Sequence, residues 1–107
     1  EVGDQATDTA RRILVLREEH RHAITNNFGR AAANGHRVFD YLYEHPIVSV
    51  KEVQDLIGTT YPAANKLVTR MVNCGVLHEF TGRARNRRFI YQSYIELFHD
   101  SGLEADA

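Results

Sequence analysis

Arginines stand at 83, 85, 87 and 88, with Gly82 just before them. A cluster of this kind does one sort of chemistry well. Each guanidinium is a permanently charged fork that pairs with phosphate or carboxylate. The flanking runs, Val76 to Phe80 and Arg87 to Tyr91, are rich in β-branched and aromatic residues. Two such runs around a glycine-containing turn predict a β-hairpin with a basic tip, with Gly82 free to take the positive φ of the turn.

The other residues capable of chemistry point nowhere in particular. There are six histidines, but His20 and His22 are two apart, which sends their rings to different faces of a helix. His45 precedes Pro46 at a helix end, where a donor near the last carbonyls is favourable. Cys74 is the one cysteine, so an internal disulfide and a thiolate metal cluster are both excluded. It falls at the C-terminal end of a predicted helix, where the dipole does not favour a thiolate. There is no serine in a nucleophile elbow and no glycine-rich loop opening a helix in a phosphate-binding pattern. The residues therefore predict no catalytic centre, no metal and no cofactor, and the chain by itself reads as non-enzymatic.

The elements that position the hairpin follow from periodicity. Ile13, Leu16, His20, Ile24, Phe28 and Ala31 share a helical stripe and predict a long helix over 8–33, capped by Thr7 or Asp8 and ended by Asn34-Gly35. Arg11, Arg12, Glu18, Glu19 and Arg21 fall on its opposite, solvated face. A second helix is predicted over 36–44, stopped by Pro46, and Ile47-Val48 follows as a short extended segment. Ser49 and Glu52 form a capping box for a third helix over 50–57, closed by Gly58. Thr60 or Thr59 caps a fourth, with Pro62 in its first turn, where a missing N–H costs little. Ala64, Leu67, Val68, Met71 and Val72 make its buried stripe, and Gly75 ends it. After the hairpin, Ser93 caps a last helix over 94–99.

Two helices joined by a short glycine-containing turn, followed at once by a hairpin, predict a mainly α fold with a small β-hairpin: a winged helix-turn-helix preceded by a long N-terminal helix. The division expected is a helical extension over 1–34, the end of a preceding domain or a dimerisation helix. A winged-helix domain follows over 35–99, and a disordered tail over 100–107.

A helix-turn-helix reads DNA with the outer face of its second helix. That assigns Thr60, Tyr61, Asn65, Lys66, Thr69, Arg70 and Asn73 as candidate DNA contacts. Asparagine can pair with adenine and arginine with guanine. Arg83, Arg85 and Arg87 on the wing can reach phosphates or a minor groove. Arg87 and Arg88 alternate faces on their strand, so at least one must lay its stem over the fold.

Charge bounds this reading. The chain of 107 residues carries a formal net charge of −1. Between Asn34 and Gln92 eight basic residues face five acids, a net of +3, whereas the segment after Gln92 holds four acids and no Lys or Arg. Positive charge is thus focused near the hairpin, but the total is too low for a strong nonspecific nucleic-acid binder. The apolar content of 43% suffices for a core. No apolar run approaches the roughly 20 residues of a membrane span, and no signal peptide is visible. One unpaired cysteine fits a reducing cytoplasm. The absence of an initial methionine suggests a piece of a longer protein.

The stretches "HPIVSVKEVQDLIG", "TTYPAANKLVTRMVNCGVL" and "HEFTGRARNRRFIYQSYIELF" carry a resemblance. The run from Val38 to Leu97 resembles the C-terminal winged-helix segment of bacterial Fic/DOC-type proteins. The Thr-Gly-Arg-x-Arg-Asn-Arg wing, the aromatic strand and the short Tyr-Ile helix are the most specific part. The resemblance implies that the long helix joins this module to a catalytic Fic domain. That domain transfers AMP from ATP through a His-Pro-Phe…Gly-Asn-Gly-Arg loop. The loop is absent here: His45-Pro46 is followed by Ile47. The inhibitory Ser/Thr-x-x-x-Glu-Gly/Asn motif of some members is absent too.

Two functions are consistent with these residues. One is regulatory binding of double-stranded DNA in the bacterial cytoplasm. The other is protein docking, onto the Fic catalytic domain or a second copy through the N-terminal helix, whose apolar stripe calls for a cover.

Overall fold

A computed structural model describes residues 2–80 and 87–101, with side chains from 8 to 80 and from 87 to 97. The elements are α1 (Val2–Asn27), a 3₁₀ turn (Gly29–Ala31), α2 (Ala32–Leu42), β1 (Ile47–Ser49), α3 (Val50–Ile57), α4 (Tyr61–Asn73), β2 (His78–Glu79), β3 (Arg88–Ile90) and α5 (Gln92–Ser101). The protein is mainly helical with one small antiparallel sheet.

Helix α1 begins and ends earlier than the spacing predicts. Its last residue is Asn27, and Gly29 takes φ +55° to turn the chain into α2. Gly35, expected as the stop, lies buried inside α2. A Cβ there would meet Phe28 Cδ2 at 2.8 Å and Ile24 Cγ2 at 2.9 Å, so the missing side chain is what lets α2 close on α1. The boundary placed at residue 34 therefore falls within a helix.

Thr9, Leu16, His20 and Ile24 form the inner stripe of α1, and Phe28 continues it just past the helix end. The stripe is not left open: α2 and α5 both pack on this helix. Ile24 and Phe28 join Val38, Phe39, Leu42, Leu67, Met71 and Tyr91 in one continuous core. The solvated face is also narrower than expected, because Arg21 donates to Asp40 of α2 at 3.2 Å and Arg17 lies 3.6 Å from the same carboxylate.

Local signals place the central helices. Ser49 accepts from the Glu52 amide at 3.2 Å and Glu52 accepts from the Ser49 amide at 3.1 Å, completing the capping box of α3. Gly58, at φ +65°, closes that helix. Thr60 Oγ1 accepts from the Ala63 amide at 3.3 Å and caps α4. At the other end, the Val76 amide donates to Met71 O and the Gly75 amide to Val72 O, a Schellman closure with Gly75 at φ +86°. This closure holds Val76 and Leu77 in the core, so β2 starts only at His78.

The sheet has three strands rather than a hairpin's two, in the order β1-β3-β2. Val48 lies opposite Phe89, and His78 opposite Ile90. The short segment after Pro46 thus becomes an edge strand, and Pro46 O accepts from the Tyr91 amide at 2.8 Å. Helix α5 starts at Gln92, which puts Ser93 inside its first turn rather than at its cap, and it includes Asp100 and Ser101. Residues 102–107, the rest of the expected tail, lie outside the described residues. No helix among the described residues is long and apolar enough to cross a membrane.

Candidate nucleic-acid interface

Helix α4 buries Ala64, Leu67, Val68 and Met71 against the core. The opposite stripe, Pro62, Lys66, Thr69 and Asn73, recurs every three or four residues and is exposed. Thr60 and Tyr61 stand at its start, the Tyr61 ring 51% exposed. Five of the seven candidates on this segment therefore form one polar surface, even though the Thr60 hydroxyl is partly used as the cap.

The other two are held within the fold. Arg70 is half-buried and donates Nη1 to Phe28 O at 2.9 Å, reaching back to the end of α1. Asn65 Oδ1 accepts from Arg87 Nη2 at 2.6 Å. Arg87 also lies 3.6 Å from Glu79 and sits over the Phe89 ring, its guanidinium carbon 5.2 Å from the centroid. It is the arginine whose stem packs over the fold. Arg88 turns to the other side, 3.9 Å from Glu52. Nothing in the local sequence signals these bonds, because they join residues 22 to 42 apart. Arg83 and Arg85 lie outside the described residues.

The remaining candidates for chemistry are built into the structure. His20 Nδ1 lies 2.8 Å from the Tyr91 hydroxyl, inside a cluster with Phe39, Tyr43 and Tyr94. Burial lowers the His20 pKa, with Glu19 pulling weakly the other way. Burial likewise pushes the Tyr91 phenol far above its ordinary value, helped by the hydrogen bond with Tyr43. A neutral imidazole accepting from a protonated phenol fits both shifts. His36 Nε2 is 2.9 Å from Thr25 Oγ1, while its Nδ1 is buried without a partner. Cys74 is half-buried with Sγ 3.5 Å from Met71 O, and burial raises its pKa, which makes it a poor nucleophile. Among the described residues no three His, Cys, Asp or Glu side chains come together as metal ligands.

Comparison with protein-family models and with curated proteins finds no match for this chain. What the structure defines is a mainly helical protein with a three-stranded antiparallel sheet. One exposed polar face lies along α4, and Asn65 on the flank of that helix is bonded to Arg87 at the start of β3.

Proposed function

We propose that this chain is a winged helix-turn-helix module that binds double-stranded DNA. Its contacts are Thr60, Tyr61, Lys66, Thr69 and Asn73 on α4 and Arg83 and Arg85 on the wing. The observation that carries the reading is the exposed stripe of α4. Helix α3 packs against α4 across a three-residue turn, and this leaves a polar face with a lysine and two base-reading residue types. On this reading the module is a non-enzymatic regulatory part of a bacterial, cytoplasmic Fic/DOC-type protein. Reading the encoding gene upstream for a His-Pro-Phe…Gly-Asn-Gly-Arg loop tests that parentage.

Fluorescence anisotropy with labelled duplexes at low salt tests the DNA reading. Micromolar binding that Lys66→Ala and Arg83→Ala/Arg85→Ala each weaken about tenfold supports it, the loss expected for a charged contact. No binding to any duplex ends it.

A second reading is supported by α1. Leu14 and Val15 are 61% and 53% exposed on a helix otherwise charged on that side. Beside them a groove of about 400 Å³ runs between α1 and α5, with Val15, Leu16 and Leu97 in its lining. This face docks a second copy or the Fic catalytic domain. Light scattering that finds a dimer, reduced to monomer by Leu14→Ser/Val15→Ser, supports it. A strict monomer that also fails to bind the catalytic domain removes it.

A further inference from the structure

Arg70 is half-buried, yet its described partner is a neutral carbonyl. Among the described residues no carboxylate comes within 4 Å of Arg70, Arg30 or Lys66. A cation drawn partly out of water without a counter-charge is electrostatically unfinished. All three side chains line one cleft of about 520 Å³, between the turn that ends α1, the α3–α4 turn and the flank of α4. Asn34 and Thr59 add neutral hydrogen-bonding groups, and Phe28 and Leu67 supply apolar wall. No acidic residue lines it. A second cleft of about 300 Å³ shares Arg70 and Phe28 and is also without an acid.

We propose that this cleft binds a small phosphorylated ligand. Its phosphate pairs with Arg30, Lys66 and Arg70, and its uncharged body lies on Phe28 and Leu67. The volume falls in the range of small-molecule sites, roughly 300–1,000 Å³. Three cations suit a phosphate monoester, which carries close to two negative charges, better than a singly charged carboxylate. The hydrogen bond to Phe28 O holds Arg70 in place, so little side-chain freedom remains to be lost on binding. Lys66 belongs both to this cleft and to the exposed stripe of α4, so an occupant would neutralise a charge on the candidate DNA face. The site itself does not depend on the DNA reading.

The test is an NMR titration of the ¹⁵N-labelled chain at low salt with phenyl phosphate, compared with benzoate, phenol and inorganic phosphate. The expected result is saturable shifts confined to Gly29–Ala31, Thr59 and Ala63–Arg70, with phenyl phosphate the tightest of the four. Arg30→Ala and Lys66→Ala are both exposed changes that leave the core intact, and each weakens it about tenfold. No saturable shift at tens of millimolar, or unchanged affinity in both variants, overturns the site. Equal affinity for benzoate overturns the phosphate assignment. Arg30→Ala weakening duplex DNA as much as phenyl phosphate would assign the cleft to backbone phosphates and overturn a small-molecule site. Phenyl phosphate binding without duplex binding would leave this site standing and remove the DNA reading alone.

Discussion

Arg87 donates from Nη2 to Asn65 Oδ1 at 2.6 Å, joining the strand that leaves the basic tip to the middle of α4. The bond changes what both residues can do. An asparagine reads adenine with its amide oxygen and nitrogen together, and here the oxygen is already engaged. Arg87 in turn is anchored by Asn65, Glu79 and the Phe89 ring. The pair ties the start of β3 to α4 and engages the amide oxygen that base reading would need.

A double-mutant cycle checks this. Asn65→Ala and Arg87→Ala should each destabilise the fold, with a coupling of about 1.5–3 kcal/mol, the range for a hydrogen bond to a charged group. Urea unfolding gives the number. Additive losses would mean that the bond does not persist in solution.

Gly29 and Gly35 offer a sharper contrast. Alanine at Gly29 meets nothing within 4 Å but must hold φ +55°, at a cost of about 1 kcal/mol. Alanine at Gly35 gains helix propensity of up to about 1 kcal/mol yet drives a methyl into Phe28 and Ile24, both buried. Overpacking of that kind costs about 1–3 kcal/mol, so the net change should still be a loss. Thermal unfolding of the two variants decides it. A stabilised Gly35→Ala would mean that α1 and α2 can separate freely.

These two glycines also mark where the sequence was legible and where it was not. Capping signals such as Ser49 with Glu52, or a threonine before Pro62, act over three residues; they placed α3 to the residue and left the start of α4 open only between Thr59 and Thr60, of which Thr60 is the cap. A glycine used as a helix stop and a glycine used for close packing look alike in sequence, and only the partner helix tells them apart. The exposed stripe of α4 was readable because it is the complement of an apolar stripe. The retreat of Asn65, Arg70 and Arg87 from that surface was not, because it depends on partners distant in sequence. The same holds for β1, which finds its place in the sheet only through β3, some forty residues on.

His20 supplies a prediction in pH. Its folded-state pKa lies below the ordinary value, first because it is buried. The unfolded chain therefore takes up the proton more readily. The stability this histidine contributes is full above an unfolded pKa of about 6.5 and is lost as pH falls through that value toward the folded pKa. Charging the ring would also remove the acceptor that the Tyr91 phenol uses. Between pH 7.5 and 5.5 the urea midpoint should fall more in the wild type than in His20→Gln. The difference in slope is bounded by about 1.4 kcal/mol per pH unit for one proton. Parallel profiles would show that His20 does not carry the effect.

The charges left over after the fold's own pairing set the last prediction. Arg87 and Arg88 stand beside Glu79 and Glu52, and Arg70 holds Phe28 O. The charged contacts proposed on α4 and the wing are Lys66, which makes no ion pair among the described residues, and Arg83 and Arg85, which lie outside them. Three phosphate contacts imply a slope of log affinity against log salt of about −2.7, or roughly a 40-fold loss between 50 and 200 mM salt. Lys66→Ala should flatten that slope by about one. A slope near zero would mean that these cations do not meet phosphates, and would favour docking through Leu14 and Val15. A slope much steeper than about −2.7 would mean that Arg87 and Arg88 leave their carboxylates on binding, so that the tie from Arg87 to Asn65 is remade on the DNA.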